Sequence, residues 1–446
     1  MKNKIPQNIH FIGIGGIGAS ALAAILHKKG FKISGSDKVP SAITKKLEKS
    51  GIKFYKTHKV TNLKKETDIV VYSPAIPESN PELKKAKQLG ITCMTYPQAL
   101  GELTKEYFTI AIAGTHGKST TTAIASLILK NGGLDPNVVI GTCLREFRNN
   151  NYRVGKSDIL IIEACEYKRS FLNFHPDMLL VTNIEAEHLD YFKGLADYKK
   201  AFKDLANQTD EEGAVIIDSD DKNSKDITKD TKAQIVYLSE KVKKSNFHLK
   251  DGYLYFENKK IKITPGIPGD FNVKNAAMAA TIGAILGVDK KVIEQTIKEY
   301  RGSWRRFEEK KKLGGARMID DYAHHPTEIK ATLKALRDQN PKARILVIYQ
   351  PHQHNRTRHF MGEFGKSFKQ ADEIIIPNIY TVRDSKKDTS EVTTEKLVAE
   401  IAKHHPSAKD GGGLEKTAAY IKKNSRDYDL IVTMGAGDVD GVYGWL

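Results

Sequence analysis

The chain has 446 residues, enough for two or three domains that each bury a core, and 40% of them are hydrophobic. No apolar run reaches the length of a membrane span, and the start (MKNKIPQNIHF) lacks the apolar core of a signal peptide; the sequence therefore predicts a cytoplasmic protein without membrane insertion. The formal charge of +17 comes from Lys spread over solvated stretches with no aromatic-interleaved basic patch, which argues against a nucleic-acid partner, and three scattered cysteines (Cys93, Cys143, Cys165) exclude a disulfide framework.

From residue 8 to about 105, predicted strands (Ile9–Gly13, Lys32–Ser36, Ile69–Tyr72) alternate with helical patterns (Ile17–Lys29, Pro81–Leu89) in a Rossmann-like series. The loop Gly13-Ile14-Gly15-Gly16-Ile17-Gly18 follows the first strand and opens a helix, and Asp37 closes the next strand. The glycines permit a tight turn and close approach of a pyrophosphate to the helix N-terminus, while Asp37 is placed to take a ribose hydroxyl. NAD and a UDP-sugar both present a diphosphate to such a loop, so the motif alone leaves both open.

A second block begins with the apolar strand Phe108–Ala113, which ends in Gly114-Thr115-His116-Gly117-Lys118-Ser119 before a helical pattern from Thr120 to Lys130. Strand, glycine turn and helix N-terminus make a phosphate cradle in which Lys118 supplies a point charge and the Ser119 hydroxyl suits Mg²⁺. Ile112 stands where the ordinary P-loop has Gly, so the loop departs from the common NTPase version. Two buried-strand patterns follow, Asp158–Glu163 and Met178–Asn183. Glu163 at a strand end is a candidate ligand for the same Mg²⁺, with Glu166 lining the cleft, and His188 beside acidic residues is a candidate for a second metal. Between Asp218 and Lys260 the polar, Lys-rich sequence predicts an edge excursion of short antiparallel strands such as Tyr253–Phe256, and a helix over Val273–Leu286 closes the block.

The third block alternates again, with strands predicted at Met318–Tyr322, Ile345–Tyr349, Glu373–Pro377 and Leu430–Met434. Taken alone, Arg305-Arg306 reads as a solvated basic pair and His324-His325 as a strand-end cap. The expected fold class is α/β with three domains: an N-terminal Rossmann-like domain (1–105), a central P-loop-type ATPase α/β domain (106–298) and a C-terminal Rossmann-like domain (299–446). No pattern fixes an oligomeric state.

Taken together, six motifs resemble the Mur ligase family of peptidoglycan synthesis. They are Gly114-Thr115-His116-Gly117-Lys118-Ser119-Thr120, Glu163-Ala164-Cys165-Glu166-Tyr167, Thr182-Asn183-Ile184-Glu185-x-x-His188-x-Asp190, Asn272-x-x-Asn275-Ala276-Ala277, Arg305-Arg306-Phe307-Glu308 and Asp320-Asp321-Tyr322-Ala323-His324-His325-Pro326-Thr327-Glu328. Gln350-Pro351-His352 followed by Arg356-Thr357-Arg358 is similar to the branch that adds L-alanine. The resemblance implies an ATP-dependent ligase joining L-alanine to UDP-N-acetylmuramate through an acyl phosphate, with a recycling ligase that adds an intact peptide as the alternative. It implies that Gly114 to Thr120, Asn272, Asn275, Arg306 and Asp321 bind ATP, with the asparagines at the adenine, Arg306 on the γ-phosphate and Asp321 on the ribose. Ser119, Glu163 and His188 become metal ligands; Gly13, Gly15, Gly16, Gly18, Asp37 and Ser73 become the UDP-sugar site; Tyr322, His325 and Arg356 face the amino acid. Lys118, His188, Arg306 and His352 carry the chemistry, with His188 and His352 both open as the base. Many members carry a carbamylated Lys where this chain has Phe202, and a His where it has Phe271. An oxidoreductase built on Gly13 to Gly18 leaves Lys118, Ser119 and Arg306 without work.

Overall fold

The computed structural model describes residues 7–188, 190–382 and 384–446, so residues 1–6 of the expected first domain lie outside the described residues. Five strands form the first sheet: β1 (Asn8–Ile12), β2 (Lys32–Ser36), β3 (Lys53–Tyr55), β4 (Ile69–Tyr72) and β5 (Thr92–Thr95). They pair in parallel in the order β3-β2-β1-β4-β5. The order reverses between β1 and β4, so the loops that leave these two strands face each other across a crevice, the usual ligand position in an open α/β sheet.

The second sheet has ten strands. They are β6 (Phe108–Ala113), β7 (Asn137–Leu144), β8 (Asn150–Arg153), β9 (Ile159–Glu163), β10 (Met178–Val181), β11 (Ala214–Asp218), β12 (Gln234–Ser239), β13 (Phe247–Lys250), β14 (Tyr253–Phe256) and β15 (Lys259–Lys262). Their order is β15-β14-β13-β12-β11-β10-β6-β9-β7-β8. β6 lies between β10 and β9, and five of its six residues are buried, as a continuous apolar run covered on both faces requires. The helix Lys118–Asn131 follows it, with every residue from Ser119 to Leu129 buried. Beyond β11 the expected antiparallel excursion is confined to β13, β14 (Tyr253–Phe256) and β15; β12 pairs in parallel with β11, the short helix Lys222–Asp226 lying in the crossover between them, and β13 in turn pairs in parallel with β12. The helix expected from Val273 begins at Asp270 and runs to Ile285, just after Gly269 turns the chain at φ 105°.

The third sheet contains β16 (Glu308–Leu313), β17 (Ala316–Asp321), β18 (Ile345–Tyr349), β19 (Glu373–Ile376), β20 (Ala408–Asp410) and β21 (Leu430–Met434). Its order is β16-β17-β21-β18-β19-β20, parallel except for the β16–β17 edge. These are mixed α/β sheets with helical crossovers, as the alternating patterns predict. The chain divides into two compact units. The first runs to Glu187 and adds Tyr191–Ile263 and Asn275–Ile297; the second holds Thr264–Lys274 and Lys298–Leu446 together with His188 and Asp190. The first two sheets therefore share one unit. Within it the helix Ile17–Lys28 packs on β7 and β8, and Asn151 Nδ2 donates to Ile17 O and, at 3.1 Å, to Ser20 Oγ. Among the described residues, no helix is long and apolar enough to cross a membrane.

Candidate active site

The loop after β6 is tied into a network of polar contacts. Gly114 has φ 130° and a side chain there would meet Thr182 Oγ1; Gly117 has φ 82°, and a side chain there would meet Asn275 Oδ1. Both positions combine a left-handed backbone with close approach, which only glycine tolerates. Thr115 Oγ1 accepts from the Glu185 amide at 2.9 Å, the His116 amide donates to Asn183 Oδ1 at 3.0 Å, and His116 Nε2 lies 3.1 Å from Glu185 Oε2. The motif after β10 thus clamps the phosphate loop from one side. Thr120 is buried behind it.

The Lys118 ammonium folds back over its own loop. It donates to the Gly114 carbonyl, to the Thr115 carbonyl at 3.0 Å, and pairs with Glu166 Oε2 at 3.0 Å. Burial alone would lower its pKa, but the Glu166 carboxylate outweighs it and holds the ammonium above its ordinary value. Glu166 is 1% exposed and accepts a further bond from the Tyr198 hydroxyl at 3.0 Å, which itself lies 3.2 Å from Thr115 Oγ1. Burial and the adjacent carboxylate push the Tyr198 hydroxyl well up, so it remains a donor.

Ser119 Oγ donates to Glu163 Oε1 at 2.9 Å, and Glu163 Oε2 accepts the Gly141 amide at 2.7 Å. A hydroxyl and a carboxylate held this close at the head of a phosphate loop are hard oxygen donors that fit Mg²⁺. His188 belongs to the second unit and has φ 54°, a conformation that non-glycine residues adopt rarely and mostly under external constraint. Phe202 is 0% exposed and packs edge-on against Phe171 at 5.1 Å, so its position is filled by core.

The loop after β1 opens a pocket in the first unit, of about 720 Å³, lined by Gly13, Gly16, Asp37, Lys38, His58 and Ser73 among others. Gly13 (φ 80°) leaves room for Ser73, whose Cβ would be 3.1 Å from an added side chain. Gly15 and Gly18 do not line the pocket: a side chain at Gly15 would press on Asp37 and Thr44, and one at Gly18 would strike the Tyr96 ring. Asp37 serves the loop itself, accepting the Gly15 amide at 2.9 Å and the Val39 amide at 3.3 Å, in addition to facing the pocket.

In the second unit the adjacent arginines separate. Arg305, 3% exposed and at φ 56°, donates to Asp320 Oδ2 at 3.0 Å and to the carbonyls of Gly437 and Gly435 at 2.6 Å each. It is therefore a buried tie and not one half of a solvated basic pair, the reading the two arginines invite when taken alone. Arg306 is half-buried with its guanidinium 4.9 Å from the Tyr322 ring centroid. Asp321 is 5% exposed and accepts the amides of Phe307 and Ala323 at 2.9 Å each. Burial pushes its carboxyl up to about 6 despite the nearby Arg306. His325 caps the helix Pro326–Gln339, its Nδ1 accepting the Thr327 amide at 3.3 Å, and stacks edge-on to Phe360 at 4.8 Å. His352 lies flat on Tyr380 with ring centroids 5.5 Å apart, and Arg356 sits half-buried on the helix His354–His359. Asn272 is 1% exposed, its Nδ2 donating to Pro268 O at 2.6 Å, and Phe271 faces Phe307 at 6.0 Å. Tyr198, Asn183 and Tyr380 are site neighbours that the sequence reading did not single out; Asn183 alone sits within a motif that signals it.

A nucleotide cradle with Lys118, a hydroxyl–carboxylate pair beside it and a second glycine-loop pocket define a nucleotide-dependent transferase or ligase class. Family models decide between them. Residues 8–108 match the model described as Mur ligase family, catalytic domain; residues 112–283 match the Mur ligase middle domain; residues 305–437 match the model described as Mur ligase, glutamate ligase domain. The chain belongs to the Mur ligase family. It is 42% identical to a UDP-N-acetylmuramate–L-alanine ligase of Acetivibrio thermocellus, over 97% of this chain and 94% of that one. It is 39% identical to the protein of the same name from Clostridium acetobutylicum, over 98% and 97%. Among solved structures it is similar to a UDP-N-acetylmuramate–alanine ligase from Thermotoga maritima, with a TM-score of 0.81, 26% identity and 98% of each chain covered.

Proposed function

We infer that this chain is an ATP-dependent ligase that joins L-alanine to the lactyl carboxylate of UDP-N-acetylmuramate in peptidoglycan precursor synthesis. Near full-length relatives named for that reaction support the reading. The structural observation that carries it is the presence of two separate glycine-loop cradles in one unit, one with Lys118 and one opening the 720 Å³ pocket, as two nucleotide substrates require.

In this reading the domains are 1–105 for the UDP-sugar, 106–298 for ATP and 299–446 for the amino acid. Gly13, Gly16 and Ser73 receive the UDP-sugar while Gly15, Gly18 and Asp37 shape the loop, Asp37 also offering an acceptor to the ribose. The residues Gly114 to Ser119 hold the ATP phosphates, Asn272 and Asn275 the adenine, and Asp321 the ribose. Lys118 and Arg306 balance charge as the carboxylate oxygen attacks the γ-phosphorus, forming the acyl phosphate and releasing ADP. Ser119, Glu163 and His188 are the residues that would hold Mg²⁺, which supplies neutralisation between the two anions when bound. Tyr322 and Arg356 face the amino acid, with His325 fixing the loop between β17 and the following helix. The amine then attacks the acyl carbon, phosphate leaves, and a proton passes to a base for which His188 and His352 are the candidates. Soluble substrates and the absence of a membrane-length helix among the described residues support a cytoplasmic location.

The test is phosphate release from ATP in the presence of UDP-N-acetylmuramate and, separately, L-alanine, glycine, L-serine and an intact tripeptide. Alanine-dependent release is expected. Release with tripeptide and none with alanine would transfer the assignment to the recycling reaction.

A further inference from the structure

Beneath the UDP-sugar pocket lies a polar cluster that none of the motifs accounts for. Glu82 occupies the first turn of the helix Pro81–Gln88 and is 0% exposed. Ser36 at the end of β2 donates to its Oε2 at 2.5 Å, Asn62 Nδ2 donates to Oε1, and the Lys59 amide donates to Oε1 at 3.1 Å. Two histidines face the same Oε2 at 3.5 Å each, His10 from β1 and His58 from the segment after β3. Burial raises the Glu82 pKa, but the His10 ring facing it and the hydrogen bonds from Ser36 and Asn62 prevail and keep the carboxyl below its ordinary value. A charge with no solvent contact is retained here at the expense of packing, and it sits directly behind a pocket wall.

The hydrogen-bond directions are over-determined. The single Ser36 hydroxyl proton is committed to Glu82, so the 2.8 Å contact between Ser36 Oγ and His58 Nδ1 requires the proton to sit on Nδ1. His58 lines the pocket together with Gly13, Gly16 and Asp37, and its Nδ1 edge is turned inward to Ser36. We propose that Glu82, acting through Ser36, is a positioning residue that fixes the tautomer and ring orientation of His58 and so presents Nε2 to the nucleotide-sugar. In the neutral ring Nε2 is an acceptor, which suits a ribose hydroxyl or a pyrimidine N3–H; a diphosphate at neutral pH has no proton to donate. His58 therefore recognises the nucleoside half, and the glycine loop the diphosphate half. This rests on the reading of the pocket as the UDP-sugar site.

The test uses the full chain and steady-state kinetics with each substrate varied in turn, alongside UDP binding by calorimetry. Ser36→Ala, Glu82→Gln and His58→Ala each raise KM for UDP-N-acetylmuramate and the Kd for UDP by about five- to tenfold, the worth of one hydrogen bond. The KM values for ATP and L-alanine and the saturated kcat stay within about twofold, and Ser36→Ala adds nothing in the His58→Ala background. Unchanged KM in Ser36→Ala and Glu82→Gln overturns the proposal, as does a uniform loss in all three substrates or full additivity of Ser36→Ala with His58→Ala. If Glu82→Gln does not fold, the Ser36→Ala and His58→Ala cycle decides alone. Wild-type protein that binds no UDP would instead overturn the assignment of the pocket.

Discussion

The Lys118 ammonium lies 3.0 Å from Glu166 Oε2, an ion pair that spans 48 residues of sequence and closes over the phosphate loop. A γ-phosphate arriving on the loop has to compete with this carboxylate for the same cation. Lys118→Ala is expected to lower ATP-dependent phosphate release at least about 100-fold, the usual worth of a charge aimed at a transferring phosphoryl group. UDP binding measured by calorimetry stays unchanged, since the pocket after β1 is a separate cradle. Removing the cation from a carboxylate 1% exposed also costs about 3–5 kcal/mol of stability. The double variant with Glu166→Gln recovers most of that loss and none of the activity. Loss of UDP binding in a folded Lys118→Ala protein would show that the two cradles are not independent.

Ser119 and Glu163 meet at 2.9 Å, and the second carboxylate oxygen is fixed by the Gly141 amide. Ser119→Ala and Glu163→Gln are each expected to raise the Mg²⁺ concentration for half-maximal activity by roughly 10- to 100-fold. On the proposed reading both remove a ligand from one ion, so the double variant is expected to fall short of the product of the single effects. A Mg²⁺ titration unmoved by either substitution would remove this pair from the metal site.

The parts of this architecture carried by local pattern were legible in the sequence. Phe108–Ala113 forms a strand with the expected bounds because an uninterrupted apolar run flanked by a glycine turn has few other solutions. Gly114 and Gly117 could be read as cradle residues because their spacing implies the φ values now seen. What escaped depends on contacts across long separations. Tyr198 lies 83 residues from Thr115 and sits in the helix Leu195–Asn207, whose amphipathic pattern marks it only as core. Asp37 stands at the right spacing for a ribose ligand, yet spacing cannot tell that it also caps Gly15. Glu82 belongs to no motif, because its buried partners come from β1, β2 and the segment between β3 and β4.

Arg305 and Arg306 are indistinguishable as a sequence pair, but left-handed backbone at Arg305 (φ 56°) and Phe307 (φ 50°) sends their side chains to different tasks. Arg305→Leu is expected to cost about 3–5 kcal/mol, because it strands Asp320, which is 0% exposed, and leaves the Gly435 and Gly437 carbonyls without their donor. Arg305→Lys recovers little of this, since one ammonium cannot reproduce the fork that meets three acceptors. Arg306→Ala, by contrast, lowers kcat roughly 10²- to 10³-fold with the melting temperature nearly unchanged. Equal melting temperatures for Arg305→Leu and wild type would refute the buried tie.

Asp321 gives the second unit a pH-dependent stability of unusual sign. Burial pushes its carboxyl from 3.8 up to about 6, so between those values the native state holds a proton that the unfolded chain releases. The favourable contribution is complete below about pH 4 and is lost as the pH rises through about 6, leaving the ionised group roughly 3 kcal/mol worse off than in an unfolded chain. Most buried carboxylates that are salt-bridged behave the opposite way. The function proposed for the site explains why the strain is kept: only the ionised form, accepting the amides of Phe307 and Ala323, keeps its lone pairs for a ribose hydroxyl. Asp321→Asn abolishes the titration while retaining one amide acceptor. Its unfolding free energy in urea, taken as the difference from wild type, is therefore expected to shift in favour of the variant by about 2–3 kcal/mol between pH 4 and pH 7. The same variant raises KM for ATP at pH 7 severalfold, as expected for the loss of a charged acceptor. A stability difference that stays flat across this range would mean that Asp321 titrates at an ordinary carboxylate value and that the burial around it does not set its charge.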